Sequence, residues 1–321
     1  MIPPKVTYRF CILYLVVFCF AGMCRCPAET AVSGEAAQTP FEFHSGFWIN
    51  LHHFLYRQAL SSEPQTGPNL LTLTDADAAE LQQLSPEERA SWDAAISYYK
   101  DFLVNRDLLF DNYMVAIKNQ LGDAESSSDL LSVPAELKKA LLKAAPVYRK
   151  HWWPNHDSRN RQWILELKPL LHKYGSGISM ALVTIYDESW PQRPVRADAV
   201  AYANWAGAYT TIEPTRPTIS TTDPANQGVA ALEIVFHETS HGMVDKVADS
   251  IRAAERNVNA LHPGRDFSSG SLWHAALFYT AGELVAERVS GLFRTRIKMV
   301  SGHGPGQTPT ARSSNRTGNL T

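Results

Sequence analysis

One run constrains this chain more than any other: Asp223-Pro224-Ala225-Asn226-Gln227-Gly228, then Val229 to Val244. Asp223 can cap a helix, and Pro224 suits the first helical position, where no amide donor is needed. From Val229 onward the run is mostly apolar, apart from Glu233 and the cluster His237-Glu238-Thr239-Ser240-His241. A helix turns about 100° per residue, so histidines four apart project from one face, one turn apart. That spacing lets two imidazoles bind one zinc ion. Glu238 lies next to the first ligand and about 100° round, beside the metal, where it can take a proton from an activated water. Histidine and glutamate are costly to bury unpaired, so their place inside a hydrophobic run argues against a chance match on a surface helix.

Two imidazoles need a third ligand. A third histidine on a following glycine turn is excluded, because His241 is followed by Gly242-Met243-Val244-Asp245-Lys246-Val247. A second stretch, Ser271 to Arg288, is helix-forming and apolar around Glu283, which is the expected third ligand. Glu287, one turn later, is placed to receive a hydrogen bond from a ligating histidine. Tyr279 precedes Glu283 by four, shares its face, and can stabilise a tetrahedral oxyanion; a packed tyrosine is the alternative reading. His262 and His274 stand as further candidate ligands or transition-state donors. His274 lies nine positions before Glu283, about 180° round an ideal helix, so the two face opposite ways.

The pentapeptide with Glu283 and Glu287 resembles the gluzincin group of zinc metallopeptidases, the thermolysin-like enzymes, over roughly residues 178–290. The resemblance implies zinc held by His237, His241 and Glu283, with Glu238 as general base and a peptide or protein as substrate. In that group the acidic residue after the third ligand is usually aspartate, so Glu287 is a small departure. The group also continues into a C-terminal helical domain with a catalytic histidine, and the stretch after Phe293 does not read as one.

The N-terminus reads as an export signal over 1–28: Lys5 and Arg9 precede an apolar run from Phe10 to Met23, and a small residue follows at Ala28. The run is short for a membrane span. Cys24 is a conceivable lipid-anchoring site, although Met23 is a poor residue before it. All four cysteines, Cys11, Cys19, Cys24 and Cys26, fall in this leader. Neither disulfides, thiolate ligands nor a cysteine nucleophile are expected after cleavage. The implied location is periplasmic or extracellular, with no stable membrane span. A net charge of −2 implies no bulk attraction to nucleic acid or anionic membrane.

Residues 29–40 read as a linker, 41–174 as a helical N-terminal region, 175–293 as a zincin-like catalytic region, and 294–321 as a disordered tail. Phe41 to Tyr56 is aromatic-rich and reads as helix, with His52 and His53 in core packing rather than on a metal. Ser85-Pro86-Glu87-Glu88 is a capping box. Further helices are expected from Asp107, from Pro134, and from a cap at Asp157 or Ser158, with Pro169 kinking or ending the last. Strands are expected at Ile178–Tyr186, Ala199–Ala203 and Ala208–Ile212, and at Pro217–Thr222, where an edge strand can accept an extended substrate. Ile251–Val258 reads as a short helix between the two ligand helices.

The fold class is therefore α+β: a mainly helical N-terminal scaffold, a small mixed sheet, and a zincin-like pair of ligand-bearing helices. The function expected is that of an exported zinc metallopeptidase. The alternatives are a zinc hydrolase of a non-peptide amide or ester, and a zincin-fold binding protein without catalysis.

Overall fold

A computed structural model describes residues 39–61, 73–264, 268 and 270–290. The expected signal, nearly all of the linker and the tail lie outside the described residues. The first described element is not helix. Phe41–His44 form strand β1, and helix α1 (Phe47–Ser61) follows it. Then come α2 (Asp75–Leu81), α3 (Pro86–Phe102), α4 (Asn112–Asp123), α5 (Ala135–His151) and α6 (Trp153–Leu170). The capping box forms as read: Glu88 N donates to Ser85 Oγ at 3.2 Å, and Ser85 N to Glu88 Oε2 at 3.0 Å. Helix α4 starts later than Asp107, whose carboxylate instead accepts from Leu109 N and Phe110 N in a turn. Asp111 is the cap that begins the helix. Helix α6 starts earlier than the expected cap, because Pro154 is preorganised for its first turn.

Helix, not strand, occupies Ile178–Tyr186. A π turn at Leu171–Gly175 leads directly into α7 (Ser176–Tyr186), so the helical run passes through position 175 without a break. The residues themselves explain the correction. Ile178, Leu182 and Tyr186 are buried at four-residue spacing, while Met180 and Ile185 between them are exposed. That is the period of a helix face, and it overrides β-branched content.

The sheet contains β1, β2 (Val195–Val200), β3 (Ala208–Thr211) and β4 (Arg216–Ser220) in the order β1-β2-β4-β3. The first three in that order are parallel and β3 runs against β4, so the sheet is mixed. Strand β4, expected at an edge, is interior; the edge beside it is β3. After the sheet come α8 (Val229–Ser240), α9 (Asp245–Leu261) and α10 (Leu272–Ser290). Asp223 and Pro224 open a separate 3-10 turn at Pro224–Asn226, and α8 begins after Gly228. The α+β reading holds in this form: mainly helical, with one small mixed sheet. Among the described residues, no helix is long and apolar enough to cross a membrane.

Side chains alternate across the sheet. On one face Ala199, Ala208 and Ile219 join a core with Leu232, Val235 and Phe236 of α8. The other face meets α1 and α4 through polar groups. Tyr209 Oη pairs with His53 Nε2 at 2.8 Å, and Lys118 Nζ donates to Thr211 Oγ1 at 2.7 Å and to the Arg216 carbonyl at 2.6 Å. Arg216 clasps Asp198, with both side chains nearly excluded from solvent. Burial alone disfavours the Asp198 carboxylate, but the guanidinium outweighs it and holds the group below the usual carboxylate range. Gly122 is required here, since an added Cβ would lie 2.0 Å from Arg216 Nη2.

The scaffold core is aromatic. Phe54 on α1 lies 5.2 Å from the Trp152 ring, 5.6 Å from Tyr202 and 5.7 Å from Tyr148, centroid to centroid. His156 shares this core through Asp77 Oδ1 at 3.0 Å and the Tyr148 hydroxyl at 2.9 Å. His52 pairs with the Tyr99 hydroxyl at 2.8 Å, so it is a packed core residue as expected. Phe54→Ala removes a fully buried ring and is expected to cost about 3–5 kcal/mol, read as a lowered denaturant midpoint.

His53 gives a pH-dependent prediction. Its Nδ1 lies 2.8 Å from the Ile49 carbonyl, so the proton sits there and Nε2 accepts from Tyr209. Burial lowers its pKa to about 4. As pH falls below the ordinary histidine value, the unfolded chain takes up a proton that the folded chain refuses until about pH 4. Stability therefore falls through that window. A His53→Gln variant is expected to show a shallower loss of urea midpoint than the wild type between pH 6.5 and 4.

Candidate metal centre

Helix α8 carries His237 and Glu238 in its last turn, and His241 opens the 3-10 turn His241–Met243 that follows. Thr239 and Ser240 are fully buried without penalty, because each hydroxyl donates back along the helix. Thr239 Oγ1 reaches the Val235 carbonyl and Ser240 Oγ the Phe236 carbonyl, both at 2.8 Å. After His241 the backbone passes close to Thr215. A Cβ on Gly242 would lie 2.2 Å from Thr215 Oγ1, so only glycine fits there.

The third member of the cluster is His274, near the start of α10. One nitrogen from each of His237, His241 and His274 lies within 4.8 Å of the others. The three rings form a nearly equilateral set: His237 to His241 is 5.1 Å between centroids, His237 to His274 5.1 Å, and His241 to His274 5.2 Å. Phe278 packs on His237 at 4.7 Å and Trp273 on His241 at 5.8 Å, which walls the cluster with apolar rings. This set of three imidazoles can hold a metal ion.

Glu283, expected as the third ligand, is not a member of this cluster, and the helix explains why. It lies nine residues after His274, about 13.5 Å further along the axis. Leu277, Ala281, Leu284 and Val285 are the buried stripe of α10, and His274 falls in line with it. Glu283 points about 200° away from Ala281, off that stripe. Tyr279 also points away and is 52% exposed, so it is not placed to stabilise an oxyanion at this cluster. Glu287 is exposed and further still, and has no place as an outer partner of a ligating histidine. His262 lies exposed past the end of α9. The sequence did contain the signal for His274. Since it and Glu283 oppose each other on one helix, only one of them can face α8.

Burial sets the electrostatics. His237 is held neutral well below the usual histidine range, by burial first and then by the other two imidazoles. Burial likewise takes His241 to about 4, aided by His274, and lowers His274. His237 Nδ1 is buried with no hydrogen-bond partner. Neutral imidazoles packed together with an unsatisfied nitrogen fit a cation better than they fit a hydrogen-bonded core. Glu238 is 4% exposed and burial raises its carboxyl to about 7, against the opposing pull of Thr210 and Lys118. Thr210 Oγ1 on β3 donates to Glu238 Oε2 at 2.7 Å.

Strand β3 is an outer strand of the sheet, and all four of its residues are buried. Ser220 N donates to the Gly207 carbonyl, which fixes the alternation of the antiparallel ladder. Ala208 and Thr210 then occupy non-bonded positions and turn their N–H and C=O groups away from β4. Pro217, opposite Thr210, has no N–H to offer, in keeping with that register.

The chain matches none of the family models, curated proteins or solved structures with which it was compared.

His274→Ala is expected to reduce zinc binding by at least about 10-fold, whereas Glu283→Gln leaves it unchanged. Titration with a chromogenic chelator competitor distinguishes the two, and the reverse pattern would restore Glu283 as the ligand.

Proposed function

We propose that this protein is a zinc-dependent hydrolase that cleaves peptide bonds, with His237, His241 and His274 as metal ligands and Glu238 as general base. The observation that carries the reading is the convergence of three imidazoles, His237 buried and His241 and His274 half-buried, with a buried carboxylate next along the helix from His237. Imidazole donors suit zinc and exclude the hard ions calcium and magnesium, and three protein ligands leave a fourth position open, the pattern of catalytic rather than structural sites. When bound there, zinc lowers the pKa of a coordinated water and polarises a carbonyl. Glu238 accepts the proton of the attacking water and returns it to the departing amine. A carboxyl raised toward neutrality is matched to both halves of that task. A purely structural metal site has no use for this group, which argues against a binding protein without catalysis.

The resemblance of the pentapeptide to that of the thermolysin-like enzymes favours a peptide over other amides or esters. This reading departs from the thermolysin-like expectation in one ligand: His274 is proposed in place of the glutamate, beside the same pentapeptide. The leader sequence, with its basic start and apolar run, supports an exported enzyme.

The test is metal analysis of the purified protein together with digestion of a mixed peptide library. The wild type is expected to bind about one equivalent of zinc and to cut a subset of peptides. Glu238→Gln is expected to bind zinc equally and lose about 10²–10⁴-fold in turnover. Full activity in Glu238→Gln, or no cleavage by zinc-loaded wild type, overturns the reading.

A further inference from the structure

We propose that Thr210 is a positioning residue for Glu238, fixing one carboxylate oxygen so that the other is available to the attacking water. The inference rests on the hydrolase reading above and names a residue outside the pentapeptide that the reaction depends on. Both side chains are buried, at 4% exposure each, and Oγ1 lies 2.7 Å from Oε2. A glutamate side chain has three rotatable bonds, and its terminal torsion is broad and roughly two-fold. Without an anchor, a carboxylate in this pocket samples orientations that present neither oxygen usefully. A hydroxyl donor on a strand removes that freedom, because threonine is stiff at its first torsion and its backbone is held in the sheet. The hydrogen bond also engages Oε2 alone and leaves Oε1 unclaimed by Thr210.

The register of β3 sets this position: the Thr210 side chain points to the α8 face of the sheet, while its N–H and C=O point away from β4. Neighbouring Tyr209 and Thr211 point to the other face, toward α1 and α4, and cannot replace it.

Thr210→Val keeps the shape and strand preference of threonine and removes only the donor; Thr210→Ser keeps the donor. Both are compared with wild type and Glu238→Gln, all loaded with zinc. Acetohydroxamic acid is the substrate-independent probe, since it binds zinc through its oxygens and hydrogen-bonds an adjacent carboxylate. Thr210→Val is expected to retain zinc affinity, to bind acetohydroxamic acid about 10-fold more weakly, and to lose about 10-fold in kcat on the best-cleaved peptide with KM nearly unchanged. Thr210→Ser is expected to match wild type. If Glu238→Gln weakens the probe while Thr210→Val does not, Thr210 has no positioning role and the hydrolase reading stands. If Thr210→Ser is as impaired as Thr210→Val, the effect is one of packing, and the proposal is again overturned. If Glu238→Gln equals wild type in both measurements, or wild type neither binds the probe nor cleaves peptide, the parent reading fails and takes this inference with it.

Discussion

The antiparallel packing of α8 against α10 is the contact on which the rest of this architecture depends. Helix α8 contributes two imidazoles one turn apart, and α10 contributes the third from near its N-terminal end. Further along, Gly282 of α10 passes Glu233 of α8, where a Cβ would come within 3.2 Å of the carboxylate. The two contacts define opposite chain directions and a close approach. A side chain at that glycine would require the Glu233 carboxylate to give way by a few tenths of an ångström. Apolar burial on α10 and the geometry of the cluster are thus one constraint, expressed at two ends of the same interface.

The sheet separates two environments. Toward α8 it is small and apolar, which lets the helix sit close enough for Thr210 to reach Glu238. Toward α1 and α4 it carries Asp198 and Arg216, which meet Lys118 of α4; all three are buried and mutually compensated. Replacing such a network by apolar residues is often neutral or stabilising, whereas removing one partner is costly. Its positional consequence here is plain. Lys118 and Arg216 tie α4 to β3 and β4, so the strand that carries Thr210 is braced from behind.

Much of this was legible in the sequence. The pentapeptide placed two of the three clustered histidines, the capping box placed α3, and the histidines at 52 and 53 fell where packed core histidines were expected. Two kinds of information were not legible. Ile178–Tyr186 has the composition of a strand, and only the spacing of its buried residues reveals the helix. Which residue joins the two histidines of α8 depends on which face of α10 meets that helix. Composition around Glu283 is as apolar as around His274, so local context could not decide between them, although their opposition on the helix showed that a choice existed. Strand order is a property of the assembled sheet. Nothing in Pro217–Thr222 shows that β3, earlier in the chain, takes the edge instead.

The division of the donors between α8 and α10 has a consequence for when the protein becomes competent. A nascent or partly opened chain offers only the pair at 237 and 241, which grips a divalent ion weakly. If the three imidazoles hold an ion as proposed, the complete set of donors exists only once α10 has docked, so occupancy would report on tertiary structure and not on the motif alone. Any chemistry of the site would then await the finished molecule, however early the pentapeptide is made.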